Sequence, residues 1–348
     1  MLDQLLIVGA GDVVANRMLP ALAAAGIARR ATIIHDGICE VTDASGLDIE
    51  IVEIPRRAEG KIEAIQRIAA ATAAPVIVAT PPQPRLDIAL ACRSLGLPIV
   101  LEKPLYTTLV DRDRFGALLA RDPHVYGLSY YVQEKALAWA YLNAIDEADE
   151  PYLVANGAPA TAKSLFRNLG RLERLSIVLR EGAERSGHPG RTTWYASAPH
   201  GVLFDLGVHV LSMIAIASAR GLARDGTALD LQQGDAAGQY RLRGFLGPLW
   251  LKSEFGKSYP AARCRRTLDA TYAHGRVKCS FDDGSLQIIH NDGRSAGLAL
   301  RHSDLRYRTL AERLRPFLRQ GRWQKPRPDW LSEQQIALEV LLALSAAS

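Results

Sequence analysis

At 348 residues, 48% of them hydrophobic, the chain is long enough for two domains with substantial cores, which excludes a disordered or disulfide-stapled small protein. The formal charge is +5 and the pI about 9.0, yet the basic residues, mostly Arg, are interleaved with Asp and Glu. The densest run, Arg306 to Arg327, has the pattern of a solvated face and linker, so no nucleic-acid partner is expected, while an anionic substrate stays compatible with the charge.

The N-terminus lacks the basic-then-apolar pattern of a secretory leader, and the expectation is a cytoplasmic protein. The longest apolar stretch, Gly201 to Ala219, carries Asp205 and His209, which argues against a membrane span. Cys39, Cys92, Cys264 and Cys279 stand far apart, so they read as reduced thiols and not as a disulfide framework or zinc site.

The first half alternates strand and helix. Leu5–Val8 reads as a buried strand, followed by Gly9-Ala10-Gly11 and a helix from about Val13 to Ala25, ended by Gly26. Ala31–Ile34 is a second strand, residues 60–73 an amphipathic helix, and Pro75–Ala79 a third strand leading to Thr80-Pro81-Pro82. A helix over Leu86–Leu95 and a strand over Leu97–Leu101 complete a doubly wound parallel sheet.

The second half changes character. Leu175–Leu179, Gln239–Phe245, Leu249–Phe255, Thr267–Tyr272, Val277–Phe281 and Leu286–Ile289 read as strands. Asp-Gly pairs at 283–284 and 292–293 mark hairpins, predicting a largely antiparallel meander. Ser332 and Gln335 have capping-box spacing and would open an apolar helix through Leu344. The predicted domains are residues 1–125, with the doubly wound parallel sheet, and 126–348, an α/β domain with the largely antiparallel sheet and a C-terminal helix.

Three groups of residues carry chemistry. Gly9-x-Gly11 directly after the first strand is where backbone amides and a helix N-terminus meet a pyrophosphate, which makes Gly9, Gly11, Asp12 and Val13 candidate cofactor contacts. The third glycine position is Val14, expected to loosen or shift the strand–helix approach. The competing reading is a plain tight turn. Asp36, closing the second strand, stands where an acid bonds the ribose 2′-hydroxyl and repels a 2′-phosphate, favouring NAD with NADP as the alternative. Asp36-Gly37 as simple turn chemistry is the other reading.

Glu102-Lys103-Pro104 is a charged exit from an apolar strand. Pro104 keeps Lys103 extended, aiming it outward at the carboxyl edge of the sheet, where a lysine of lowered pKa can carry a proton.

Asp205, His209 and Ser212 share one face of an otherwise apolar helix, with Gly207 opening room for another backbone or a ring. A buried polar stripe needs partners, which an active site supplies. Mutual satisfaction in the core and metal ligation at helical spacing are the alternatives, the latter without further clustered ligands. Arg191 and Trp194, just upstream, suit an anion and a sugar face, with surface packing as the competing reading.

Taken together, Gly9-Ala10-Gly11, Thr80-Pro81, Glu102-Lys103-Pro104 and Asp205-x-Gly207-x-His209 resemble the glucose–fructose oxidoreductase / inositol dehydrogenase (Gfo/Idh/MocA) family, in family order and over nearly the whole chain. The resemblance implies an N-terminal Rossmann domain and a C-terminal domain with a large open sheet, whose outer face often makes a dimer or tetramer. It implies NAD(P)-dependent hydride transfer to or from a secondary alcohol of a sugar, sugar derivative or cyclitol, with no metal.

By the same resemblance Lys103 is the catalytic acid/base, with Lys103-Pro104 in the cis form. Asp205 and His209 match substrate-binding and proton-handling positions, and Thr80, Pro81 and Glu102 line the nicotinamide side. Arg85 replaces a frequent His, and Ser212 a frequent Asp, altering the polar lining. Tyr131 and Lys135 approximate a tyrosine and lysine that enter the substrate domain in some members. A redox-neutral epimerase or eliminase with tightly held NAD, and a non-catalytic nucleotide sensor, are the competing functions.

Overall fold

The computed structural model describes the chain except residues 38, 40, 42–45, 55–60, 120–121, 129–151, 154–158, 161–167, 183–193, 199, 218–226, 284, 300–313, 323–329 and 348. The chain divides into two compact units, one of residues 1–134 and 304–335, the other of 135–303 and 336–348. The division is discontinuous in sequence, unlike the single boundary drawn at 125.

The first unit is built on a six-stranded parallel sheet in the order β3-β2-β1-β4-β5-β6. Its strands are β1 Leu2–Val8, β2 Ala28–His35, β3 Asp48–Glu53, β4 Val76–Val78, β5 Ile99–Leu101 and β6 Val125–Gly127. The central strands are continuous apolar runs, Leu5 to Val8 and Val76 to Val78 being essentially inaccessible, as both faces of a parallel sheet are covered. The helices are α1 Leu19–Ala24, α2 Lys61–Thr72, α3 Pro82–Ser94 and α4 Leu109–Leu118. A return segment over 314–320 is helical. Its Phe317 lies against the Tyr126 ring of β6 with centroids 5.5 Å apart, and the Gly321 carbonyl meets His124 Nδ1.

The second unit carries an eight-stranded sheet in the order β10-β11-β12-β9-β13-β14-β15-β16. The strands are β9 Leu172–Arg180, β10 Thr227–Gln233, β11 Gln239–Leu246, β12 Leu249–Gly256, β13 Arg265–Tyr272, β14 Gly275–Ser280, β15 Ser285–His290 and β16 Ser295–Ala299. All neighbours are antiparallel except β12 and β9. A separate ribbon pairs β7 (Tyr152–Leu153) with β8 (Pro159–Ala160).

A row of buried side chains crosses the large sheet in register: Leu242, Ser253, Ile177, Leu268, Cys279 and Leu286. The opposite face is polar, with Arg180 paired to Glu254, and Arg276 to Asp269. The short α5 (Trp194–Ser197), the long α6 (Gly201–Ala217) and part of α7 (Trp330–Ala347) complete this unit. Gly207 of α6 is a contact point: a Cβ there would lie 2.9 Å from Leu341 and 3.2 Å from the Phe255 ring. The close approach expected at this glycine is thus by a ring and a leucine.

The helix near the C-terminus starts at Trp330, two residues before Ser332. Ser332 therefore lies inside its first turn, because Trp330-Leu331 extend the apolar pattern backward. None of the described helices is long and apolar enough to cross a membrane.

All four cysteines are free thiols. Cys92 is fully buried in α3, which pushes its thiol up to about 12, whereas Cys264 is exposed. Alkylation of the native protein at mildly alkaline pH should therefore label Cys264 first, with Cys92 and Cys279 reacting only after denaturation. Peptide mapping by mass spectrometry checks this order.

Candidate functional site

The carboxyl ends of four neighbouring strands coincide. Val8 of β1 stands beside Ile34 of β2 and Val78 of β4, and Val78 beside Leu101 of β5. The residues after each strand, Gly9, Asp36, Thr80 and Lys103, therefore leave one edge of one sheet. In open α/β sheets that edge binds the ligand. Hydrogen bonds continue past the strands: Gly9 N to Ile34 O at 2.8 Å, Ala79 N to Val8 O at 2.8 Å, and Glu102 N to Val78 O at 3.0 Å.

Gly9 is required twice over. Its φ is +115°, and a Cβ would sit 2.7 Å from the Ala79 carbonyl oxygen. The Gly11 carbonyl accepts from both Val14 N and Ala15 N, so the amides of Asp12 and Val13 are among the donors a helix N-terminus cannot satisfy internally. The Asp12 side chain is exposed and accepts from Asn16 Nδ2 at 2.8 Å. Val14, the departure from the glycine pattern, is buried, and Val14–Met18 is wound as a wider π-turn before α1. Asp36 is held by Lys61, the first residue of α2, whose Nζ donates to its carboxylate.

Lys103 is half-buried, and the Lys103-Pro104 peptide is cis. The segment is anchored beyond it by the buried Leu105 and Tyr106, the latter against Phe115. Thr80 and Glu102 are buried and Pro81 is exposed.

The expectation that Arg85 belongs to the polar lining is corrected. It is 2% exposed, in the first turn of α3, and its guanidinium points into the protein. Its Nη1 donates to the carbonyls of Glu102 (2.6 Å) and Pro104, and its Nη2 to that of Thr80. The carbonyls on either side of Lys103 are thus held by one planar fork, which satisfies a buried cation and fixes two loops at once.

In the second unit, Asp205, His209 and Ser212 of α6 are 7%, 2% and 1% exposed. The partner of Asp205 is a residue with no role in the sequence pattern: Lys257, buried, with Nζ 3.2 Å from Asp205 and 3.7 Å from Glu181. The same ammonium lies 3.9 Å from the centroid of the Tyr195 ring, which meets Trp194 edge-on at 6.0 Å. Asp205, Lys257, Tyr195 and Trp194 therefore form one contact chain. A glycine at each end makes it fit. Gly256, at φ +151°, passes so close to Gly238 that a Cβ would lie 2.3 Å from its carbonyl oxygen, and Gly201 lets the Tyr195 backbone approach equally closely.

A signal for Lys257 was present in the sequence. The inward phase of β12, Leu249, Leu251, Ser253 and Phe255, reaches residue 257 two positions on. A lysine on a core-facing phase needs a buried anion. Lys103 belongs to the first unit, and Asp205, His209 and Trp194 to the second. Tyr131, Lys135 and Arg191 lie outside the described residues.

Arg85→Met should lower stability by about 2–5 kcal/mol by leaving buried carbonyls without their donor, and Arg85→Lys should recover only part because an ammonium lacks the fork. Denaturant titration measures both. Lys257→Met should cost about 3–5 kcal/mol by stranding the buried Asp205 carboxylate. Combining it with Asp205→Leu should cost clearly less than the sum of the single changes, the expected non-additivity of a contacting pair.

No family model and no curated protein matches the chain. Solved structures do. KijD10, a 3-ketoreductase from Actinomadura kijaniata in complex with NADP and TDP-benzene, is 14% identical over 99% of this chain and 98% of its own, with a TM-score of 0.67. A levoglucosan dehydrogenase in complex with NADH and levoglucosan is 14% identical over 100% and 98%, with a TM-score of 0.67. A Gfo/Idh/MocA family oxidoreductase from Vibrio cholerae is 11% identical over 99% and 97%, with a TM-score of 0.63. Such likeness, carried along whole chains at low identity, is a likeness of fold: the chain has the Rossmann-plus-open-sheet fold of the Gfo/Idh/MocA oxidoreductases.

Proposed function

We propose that the protein is an NAD(P)-dependent oxidoreductase that moves a hydride between a nicotinamide and a secondary alcohol carbon of a sugar, sugar derivative or cyclitol. The observation that carries this reading is the coincidence of Gly9, Asp36, Thr80 and Lys103 at one edge of one parallel sheet. Fold alone would not suffice, since one fold hosts many functions. Structures of this fold with NADP or with NADH and levoglucosan add support.

The residues present fit a dinucleotide. Gly9 lets the first loop pass against the Ala79 backbone, which any side chain would strike, and the Asp12 and Val13 amides open a helix N-terminus toward a pyrophosphate. Asp36, with Lys61, would meet the adenosine ribose, and Thr80, Pro81 and Glu102 the nicotinamide side. A bound nicotinamide supplies the hydride acceptor or donor.

As hydride leaves the alcohol carbon, the hydroxyl proton leaves with it, and neutral Lys103 takes that proton. In the reverse direction its ammonium returns the proton to the carbonyl oxygen. Arg85 keeps the backbone on both sides of Lys103 fixed, so the amine is presented from a rigid base. To Asp205 and His209, in the second unit, the proposal assigns substrate hydroxyls and the proton handling that the resemblance implies. Lys257 fixes the Asp205 carboxylate in place, and Trp194 offers a face to the sugar ring. Tyr131 and Arg191 complete the proposed substrate contacts.

Lys103→Ala should lose at least ~10²-fold in turnover, the scale of general acid–base assistance, while NAD(H) binding is retained. The check is to screen sugars, sugar phosphates, uronates and cyclitols by reduced-nicotinamide absorbance, then to compare the variant on the substrate found. Near-normal turnover of the variant removes Lys103 from the mechanism. Substrate conversion without net absorbance change points instead to a redox-neutral reaction with retained nucleotide.

A further inference from the structure

The acid that closes β2 is compensated. Lys61 reaches the Asp36 carboxylate from the start of α2, with the lysine side chain 15% exposed and the aspartate 43%. A cation in the first turn of a helix opposes the helix dipole, so this lysine is favoured there only with an anion beside it. Asp36 in turn follows His35, the last residue of β2, and β2 lies in register with β1 through Ile34 and Val8. That is the place from which an acid meets the adenosine ribose and rejects a 2′-phosphate.

A lone aspartate there would present one full negative charge to a group carrying nearly two. Paired with Lys61, the position has a formal charge of zero. An ammonium also has three donors, of which Asp36 takes one.

We infer that Lys61 sets the choice between the two nicotinamide dinucleotides: by neutralising Asp36 it removes the repulsion of a 2′-phosphate, and the protein accepts NADP(H) as well as NAD(H). This replaces the sequence expectation that Asp36 alone favours NAD. It rests on the proposed function only in requiring that a nicotinamide dinucleotide binds.

The test needs no substrate. Dissociation constants for NADH and NADPH are measured by fluorescence titration on the purified full chain. The native protein should bind the two within about tenfold of each other. Lys61→Met should weaken NADPH relative to NADH by about tenfold or more, the scale of one charge-assisted hydrogen bond. Lys61→Arg, which keeps the charge, should leave the ratio near native and shows that α2 still folds. Asp36→Asn should shift the ratio toward NADPH, an independent reading should Lys61→Met fail to fold. These differences should shrink as salt is added, since the groups are partly exposed.

A native preference for NADH beyond a hundredfold, or a ratio unmoved by Lys61→Met, overturns the assignment. Binding of neither nucleotide to the native chain overturns the nicotinamide reading itself, and the role of Lys61 with it.

Discussion

The register of four parallel strands is the constraint on which the nucleotide end depends. Parallel strands pair without slippage only while their buried faces match, and here each contributes a short run of Val, Ile or Leu. Because Val8, Ile34, Val78 and Leu101 lie in adjoining ladders, the loops leaving the four strands emerge at the same level. A slip of one residue in β4 or β5 would turn Thr80 or Lys103 over. The short strands cannot guarantee that alone, as β4 and β5 each have three residues. Arg85 adds the missing rigidity, joining the backbone after β4 to that after β5 through Thr80, Glu102 and Pro104.

Both units use one device, a buried cation held by oxygen atoms. In the first, Arg85 spends its planar fork on carbonyls, which suits a geometric role. In the second, Lys257 sits between two carboxylates over an aromatic ring, a compact charge that sets local electrostatics. Burying an ammonium is costly unless fully compensated, and Asp205, Glu181 and Tyr195 supply that compensation together.

The fold was legible wherever strands are central. Apolar runs mark the interior strands of the parallel sheet, and half-apolar segments between turn signals mark those of the large sheet, whereas the four edges, β3, β6, β10 and β16, carry no such mark. Edge strands pair on one side only, so they can be short or polar. Asp48–Glu53 carries three acids, of which Asp48 and Glu50 pair with Arg30 of β2, and Val125–Gly127 is only three residues long. Residues of the site that use their backbone or end a strand, such as Gly9 and Lys103, were legible from local pattern. The roles of Arg85, Lys61 and Lys257 were not, because each is defined by a partner distant in sequence: 17, 25 and 52 residues separate them from Glu102, Asp36 and Asp205. Of the three, only Lys257 broke a visible period.

The positions where the chain departs from the pattern it resembles bear on where specificity would reside under the proposed function. A histidine in place of Arg85 would carry one titratable ring at the end of Thr-Pro; the arginine instead turns inward and becomes scaffold. It therefore contributes no direct contact by which one substrate is told from another. Val14 likewise is absorbed by the winding of the helix, and its side chain is buried. Under the proposed function, discrimination among substrates then falls to groups of the second unit. Among the described residues of the second unit the candidates are His209, Asp205 and Trp194, the last two linked through Tyr195 and Lys257. Because Lys257 couples Asp205 to the Tyr195 ring, a change at any member of that chain would shift the others. On that proposal, specificity is a property of the linked group, and single substitutions within it should read as coupled effects.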